Sequence, residues 1–114
     1  MGIGLKIELE EIEDKVILRI EGRIDAASAP TLDRKIDSLL AEKRYRLLLD
    51  FSRVDYLSSA GMRTLLSVSK KAKAGRGMLV IYALTDDVEE IIKMAGFDKV
   101  LRICSSEKEA LQLN

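Results

Sequence analysis

Two segments with the alternation of β-strands lie so close together in this 114-residue chain that only one pairing is open to them. Leu5, Ile7 and Leu9 fall on one face of the first segment, with Lys6, Glu8 and Glu10 on the other. Val16, Leu18 and Ile20 repeat the pattern in the second. Side chains of a strand point alternately to its two faces, so each segment offers one apolar face to a core. The connection, Glu11 to Lys15, is charged and short. It suits a hairpin, whereas a parallel crossover needs a dozen residues or more. The two strands therefore pair antiparallel, and the first, blunted by its Glu and Lys face, forms an edge of the sheet.

Past Gly22 the periodicity changes. Ala29, Leu32, Ile36, Leu39 and Leu40 recur three or four residues apart, the signature of one helix face, and Pro30 sits in a first turn that needs no amide from it. Arg46 to Phe51, containing Leu47-Leu48-Leu49, reads as a strand covered on both faces. Met62, Leu65, Leu66 and Ser69 mark a second helix that ends near Gly75 and Gly77, and Met78 to Ala83 is the next buried strand. Val88, Ile91 and Ile92 mark a third helix, capped by Thr85 or Asp86, with Glu89 spaced for a capping box from Asp86 and Gly96 as its stop. Val100 to Ile103 is the last strand, and Ser106-x-x-Glu109 opens a terminal helix. The same spacing puts Met62 and Met94 in the core.

The order β-β-α-β-α-β-α-β-α predicts an α/β fold: a mixed, mostly parallel sheet with an N-terminal antiparallel hairpin and flanking helices. The length fits one domain spanning residues 1–114, with no linker or repeat to divide it.

Composition removes many chemistries. The chain has no histidine, the usual general base of serine and cysteine hydrolases, and one cysteine, Cys104, which can close neither an internal disulfide nor a thiolate zinc cage. The longest uncharged stretch, Gly77 to Thr85, is far short of the roughly 18 residues of a membrane span. Nineteen basic residues balance nineteen acidic ones, which argues against direct nucleic-acid binding. The densest basic group, Lys70, Lys71, Lys73 and Arg76, reads first as a helix C-terminal turn favoured by the macrodipole, with a phosphate-binding patch as the alternative. Met1-Gly2-Ile3-Gly4 lacks the features of an export signal, and a lone cysteine suits a reducing compartment, so a cytoplasmic location is expected.

In open α/β sheets, sites gather where parallel strands end and helices begin. Asp50 to Gly61, the connection from the third strand to the second helix, is therefore the informative segment. Ser58 or Ser59 stands at the helix N-cap, where a hydroxyl can satisfy an orphan amide. A nucleophile elbow would need glycine where Leu57 stands and a base that this chain lacks. A phosphate-receiving aspartate at Asp50 would need neighbouring carboxylates for magnesium, and the acidic pair expected after a parallel first strand is missing because that region is a hairpin. A third possibility is that a serine is itself modified: a phosphate adds a charge near −2 and can break a docked complex without unfolding either protein. No P-loop or G-x-G-x-x-G turn supports a nucleotide cofactor, and none is expected.

Gly22-Arg23-Ile24-Asp25-Ala26-Ala27, followed by Leu47 to Met62 with Asp50, Ser52, Val54, Leu57, Ser59 and Gly61 in register, resembles the STAS domain of bacterial anti-sigma factor antagonists. The resemblance covers nearly the whole chain. It implies a monomeric STAS fold and a partner-switching protein without enzymatic activity. Unphosphorylated, such a protein binds an anti-sigma factor that is also a serine kinase, freeing the sigma factor; phosphorylation switches it off and a phosphoserine phosphatase restores it. Aligned on Gly61, the acceptor falls on Ser59, with Ser58 as a minor alternative at a place where several members carry aspartate. The implied partner surface takes in Asp25, Asp55, Ser58, Ser59, Gly61 and Met62, with Tyr56 either bordering it or packing its ring beneath. A STAS adaptor of a lipid-transport or signalling assembly, or a small-ligand sensor, is the alternative within the same fold.

Overall fold

A computed structural model describes residues 4–113. Met1 to Ile3, which carried part of the expectation about export, lie outside the described residues. Strands β1 (Lys6–Ile12) and β2 (Lys15–Ile24) form the antiparallel hairpin, in register from Lys6 opposite Glu21 to Ile12 opposite Lys15. There follow α1 (Ala29–Ala41), β3 (Arg46–Leu57), α2 (Ser59–Ala74), β4 (Met78–Tyr82), α3 (Asp86–Met94), a 3-10 turn over Phe97–Lys99, β5 (Arg102–Cys104) and α4 (Glu107–Leu111). The sheet runs β1-β2-β3-β4-β5, with β2 to β5 all parallel.

This sequential order decides where the helices go. Each parallel step moves one place in the same direction, and right-handed crossovers that all advance one way put their helices on one face. Leu32 and Ile36 of α1, Leu65 and Val68 of α2, and Val88 and Ile92 of α3 accordingly share one core with Leu18, Leu49 and Ile81 of the sheet. The short α4 covers the opposite face, where Ile17, Leu48, Met78 and Val80 meet Ala110.

The structure corrects the sequence reading at several element ends. β3 continues to Leu57 instead of stopping at Phe51, so most of the segment expected to be a connection is strand. Its ladder with β2 shifts register twice, between Arg19 and Glu21 and between Gly22 and Arg23. The extra residues on β3 leave the buried Phe51, Val54 and Leu57 three apart, a spacing that strand alternation does not reveal. The last strand begins at Arg102, because Phe97–Lys99 coils into a 3-10 turn and leaves Val100 exposed. Met94 is 81% exposed: α3 buries Val88 and Ile92, and a residue two further on points about 200° away. Leu9 is also exposed, on the edge strand, whereas Leu5 and Ile7 pack against the core. Thr85, not Asp86, caps α3, so the Asp86–Glu89 capping box does not form, and Glu89 pairs with Lys93 instead. At α4 Ser106 is the cap, but the Glu109 carboxylate accepts from the amide of Ser105, one residue earlier than a capping box requires.

Beyond α4's apolar contacts, one arginine ties four elements together, and a tyrosine bonded to one of its partners adds a fifth. Arg19 of β2 donates to Glu10 of β1 at 2.7 Å, to Asp50 of β3 at 2.9 Å and to Glu107 of α4 at 2.8 Å, while the Tyr82 hydroxyl of β4 donates to Glu107 at 2.6 Å. The bond from Arg19, then that from Tyr82, holds the Glu107 carboxyl below its usual range. Burial alone would raise Asp50, but Ser52 and Arg19 together outweigh it and lower its pKa as well. Carboxyls depressed in the folded state stabilise it fully above their unfolded pKa values, about 4, and lose that contribution as pH falls through the folded ones. Arg19→Gln is therefore expected to cost about 1–2 kcal/mol at pH 7 and to flatten the loss of stability on acidification from pH 5 to 3, measured by urea unfolding across that range.

Candidate functional site

The strand extension that the sequence concealed builds the site. Ile24 ends β2 opposite Leu57, and its carbonyl accepts from the amide of Ser58 at 2.8 Å, so the ladder passes directly into the start of α2. Ser58 is the N-cap: its backbone is extended, with ψ of 171°, and its hydroxyl accepts from the amide of Gly61 at 3.1 Å. Ser59 is the first helical residue, exposed to solvent and outside that cap bond. Two adjacent serines thus divide between them a structural task and a free hydroxyl.

Gly61 explains why the helix can start so close to the strand. A Cβ there would lie 2.7 Å from Ile24 Cγ2 and from Leu57 Cδ1, and 3.2 Å from the Ile24 carbonyl oxygen. Only hydrogen fits. Gly61 is buried and Met62 is 6% exposed, so the structure places both beneath the surface on which the sequence reading put them.

Asp25 follows Ile24 and so stands on the same strand end as the two serines. Its carboxylate accepts from the amides of Ala27 and Ser28, each at 3.0 Å, and its own amide donates to the Ser28 hydroxyl at 3.0 Å. The amide of Ser28, foremost, holds the carboxyl below its usual range. Ser28 is itself buried and donates to the Arg23 carbonyl at 2.6 Å. This reciprocal exchange organises the entry to α1. The spacing Asp25-x-x-Ser28 carries that signal in the sequence, with serine in the place usually given to Glu or Gln. Asp55 is exposed on β3, and the half-buried Tyr56 ring is capped by the Arg23 guanidinium at 4.3 Å from its centroid, a contact the sequence reading did not include.

Asp50, the other candidate acceptor, lies in mid-strand with one oxygen on Arg19 and the other on the Ser52 hydroxyl at 2.7 Å. Among the described residues no group of three or more His, Cys, Asp or Glu side chains could hold a metal ion. No described helix is long and apolar enough to cross a membrane.

A family model for the STAS domain matches residues 6–110. The chain belongs to the STAS domain family. The match takes in every strand and both sides of the Ser58–Ser59 turn. Among relatives, the anti-sigma-F factor antagonist RsfB of Mycobacterium tuberculosis is 30% identical over 95 residues, covering 83% of this chain and 77% of that protein. Among solved structures, an anti-sigma factor antagonist from Mycobacterium paratuberculosis superposes with a TM-score of 0.86 at 23% identity, over 97% of this chain and 94% of that one. Bacillus SpoIIAA has the same fold, with TM-scores of 0.78 for its unphosphorylated form, over 93% of each chain, and 0.70 for its phosphorylated form, over 93% and 96%, both at 18% identity. This STAS domain therefore has the antiparallel N-terminal hairpin and mostly parallel sheet that its sequence leads one to expect.

The division between the serines can be measured. Ser58→Ala is expected to lower stability by about 1 kcal/mol through loss of the cap, whereas Ser59→Ala stays within about 0.5 kcal/mol of the parent in chemical denaturation. Gly61→Ala should cost about 1–3 kcal/mol, since the Ile24 backbone cannot retreat without breaking the bond to Ser58.

Proposed function

We propose that this domain is an anti-sigma factor antagonist that works by partner switching. In its unphosphorylated form it binds an anti-sigma factor that is also a serine kinase, and the sigma factor held by that protein is set free. Transfer of the γ-phosphoryl group of ATP to Ser59 forms an Oγ–P bond, breaks the bond to the β-phosphate, releases ADP and passes the hydroxyl proton to the kinase or solvent. The modified domain leaves its partner, and a phosphoserine phosphatase restores it. The domain itself performs no catalysis, and its partners place it in the cytoplasm as a monomer that exchanges complexes.

The observation that carries this reading is the exposed Ser59 hydroxyl at the start of α2, standing beside Ser58, which alone makes the cap bond. A hydroxyl not used by the fold can be modified without dismantling it. The relatives support the reading by name: RsfB is called an anti-sigma-F factor antagonist, and SpoIIAA is known in unphosphorylated and phosphorylated forms. Asp25 and Asp55, exposed in part or in full on the same end of the sheet, are the further candidates for partner contact, with Gly61 and Met62 supporting the turn from below.

The test is to capture the kinase from the source cell by pull-down, incubate it with the domain and ATP, and map phosphate by mass spectrometry. Acid-stable phosphate is expected on Ser59, absent in Ser59→Ala and retained in Ser58→Ala. Phosphorylation should weaken binding to the kinase at least tenfold by titration calorimetry. An unmodified Ser59, with binding indifferent to Ser59→Asp, would overturn the switch.

A further inference from the structure

The first turns of α1 and α2 lie side by side and leave a groove of about 330 Å³ whose lining on α2 begins at Ala60, the residue after Ser59. Ala26, Ala29 and Pro30 line it from the α1 side and Ala60 from α2, all of them small, so the groove is shallow and open. The charged side chains along it are Asp33 and Arg63. Among the described residues the arginines divide into those held in ion pairs and those, Arg23, Arg34, Arg63, Arg76 and Arg102, that are not, and of the second group Arg63 alone stands in the first turns of α2. Arg19, Arg44, Arg46 and Arg53 each pair with a carboxylate. Among the described residues none lies within 4.0 Å to pair with Arg63, which extends exposed into solvent.

Its place on the helix is specific. Arg63 follows Ser59 by four residues on a continuous helix. Side chains at that spacing are neighbours, with Cβ atoms about 5–6 Å apart, and helical side chains lean toward the N-terminus, which carries the longer Arg63 back over Ser59. We propose that Arg63 is the internal receptor for a phosphate on Ser59, which rests on Ser59 being the modified residue. Two guanidinium N–H groups meet two phosphate oxygens, the bidentate geometry that makes arginine the preferred partner of phosphate. The capture has a second effect. In the unmodified domain the groove holds one positive and one negative side chain. Once Arg63 turns to the phosphate, Asp33 is left with the dianion at the groove mouth, and a neutral cleft becomes an acidic one. The modification thus changes the groove as well as the serine.

The test does not need the kinase. Phosphoserine is installed at position 59 during translation, and its second ionisation is followed by phosphorus-31 NMR in the intact domain. The phosphate of the parent chain should titrate below the ordinary value of about 6. Arg63→Gln should raise that pKa by about 0.3, a twofold change in the acid constant. Arg63→Lys should restore part of the difference, Arg34→Gln on the far side of α1 should leave it unchanged, and 1 M salt should shrink it. An Arg63→Gln chain with native circular dichroism and the parent's phosphate pKa would overturn the proposal. Phosphate found on Ser59 in the kinase assay together with that null titration would remove Arg63 and keep the switch. Coupling seen by NMR while the kinase leaves Ser59 untouched would keep the Arg63 contact and remove the switch.

Discussion

A single hydrogen bond, from the amide of Ser58 to the carbonyl of Ile24 at 2.8 Å, joins the strand ladder to the helix that carries the site. Everything around it is arranged to let the two backbones meet. The extra residues on β3 keep it paired with β2 as far as Leu57, which delivers Ser58 to Ile24 in the right orientation. Gly61 then lets the first turn of α2 descend onto Ile24 and Leu57 without a clash. Because Asp25 directly follows Ile24 and caps the approach to α1, the same strand end also fixes where α1 begins. The two helix starts that border the groove are therefore set by one residue pair in the sheet.

The opposite face of the sheet is built on another principle. There α4 contributes few apolar contacts, and charge completes the attachment through Arg19 and the carboxylates of Glu10, Asp50 and Glu107. Partly exposed ion pairs contribute little when isolated. Here a single guanidinium serves three carboxylates on different elements, one of which also accepts from Tyr82, so no member can leave without stranding another. This arrangement uses Asp50 structurally, and the carboxylate that could have served as a phosphate acceptor is occupied by the fold.

Most of this architecture was legible in the sequence. The short charged link between two alternating segments required the hairpin, and the change of period after Gly22 required the parallel remainder. What escaped has a common cause in backbone irregularity. A bulged strand breaks the period of two, so β3 was ended six residues early at Phe51, and a 3-10 turn displaced the start of the last strand. At the site, the glycine and the serine pair were visible as a motif, but which serine caps the helix depended on where β3 ended. Arg23 over Tyr56 joins two neighbouring strands, which spacing does not reveal, whereas the Asp25–Ser28 exchange is local and its three-residue spacing does suggest it.

The choice between the serines follows from the geometry once both are in place. A phosphate on Ser58 would have to keep accepting from the Gly61 amide in the narrow approach to Ile24 or give up the cap, worth about 1 kcal/mol, and press against the buried turn. On Ser59 the same group projects into solvent and leaves the cap intact. The domain can then hold its fold in both states while its surface changes by nearly two charges. The chain's formal net charge is zero, so this local change is not diluted by a large field of either sign. A partner fitted to a neutral hydroxyl and a groove with one charge of each sign would meet a phosphate and an uncompensated Asp33 in their place. Fold stability and partner affinity are thus governed by adjacent residues but can vary independently, which is the property a reversible switch requires.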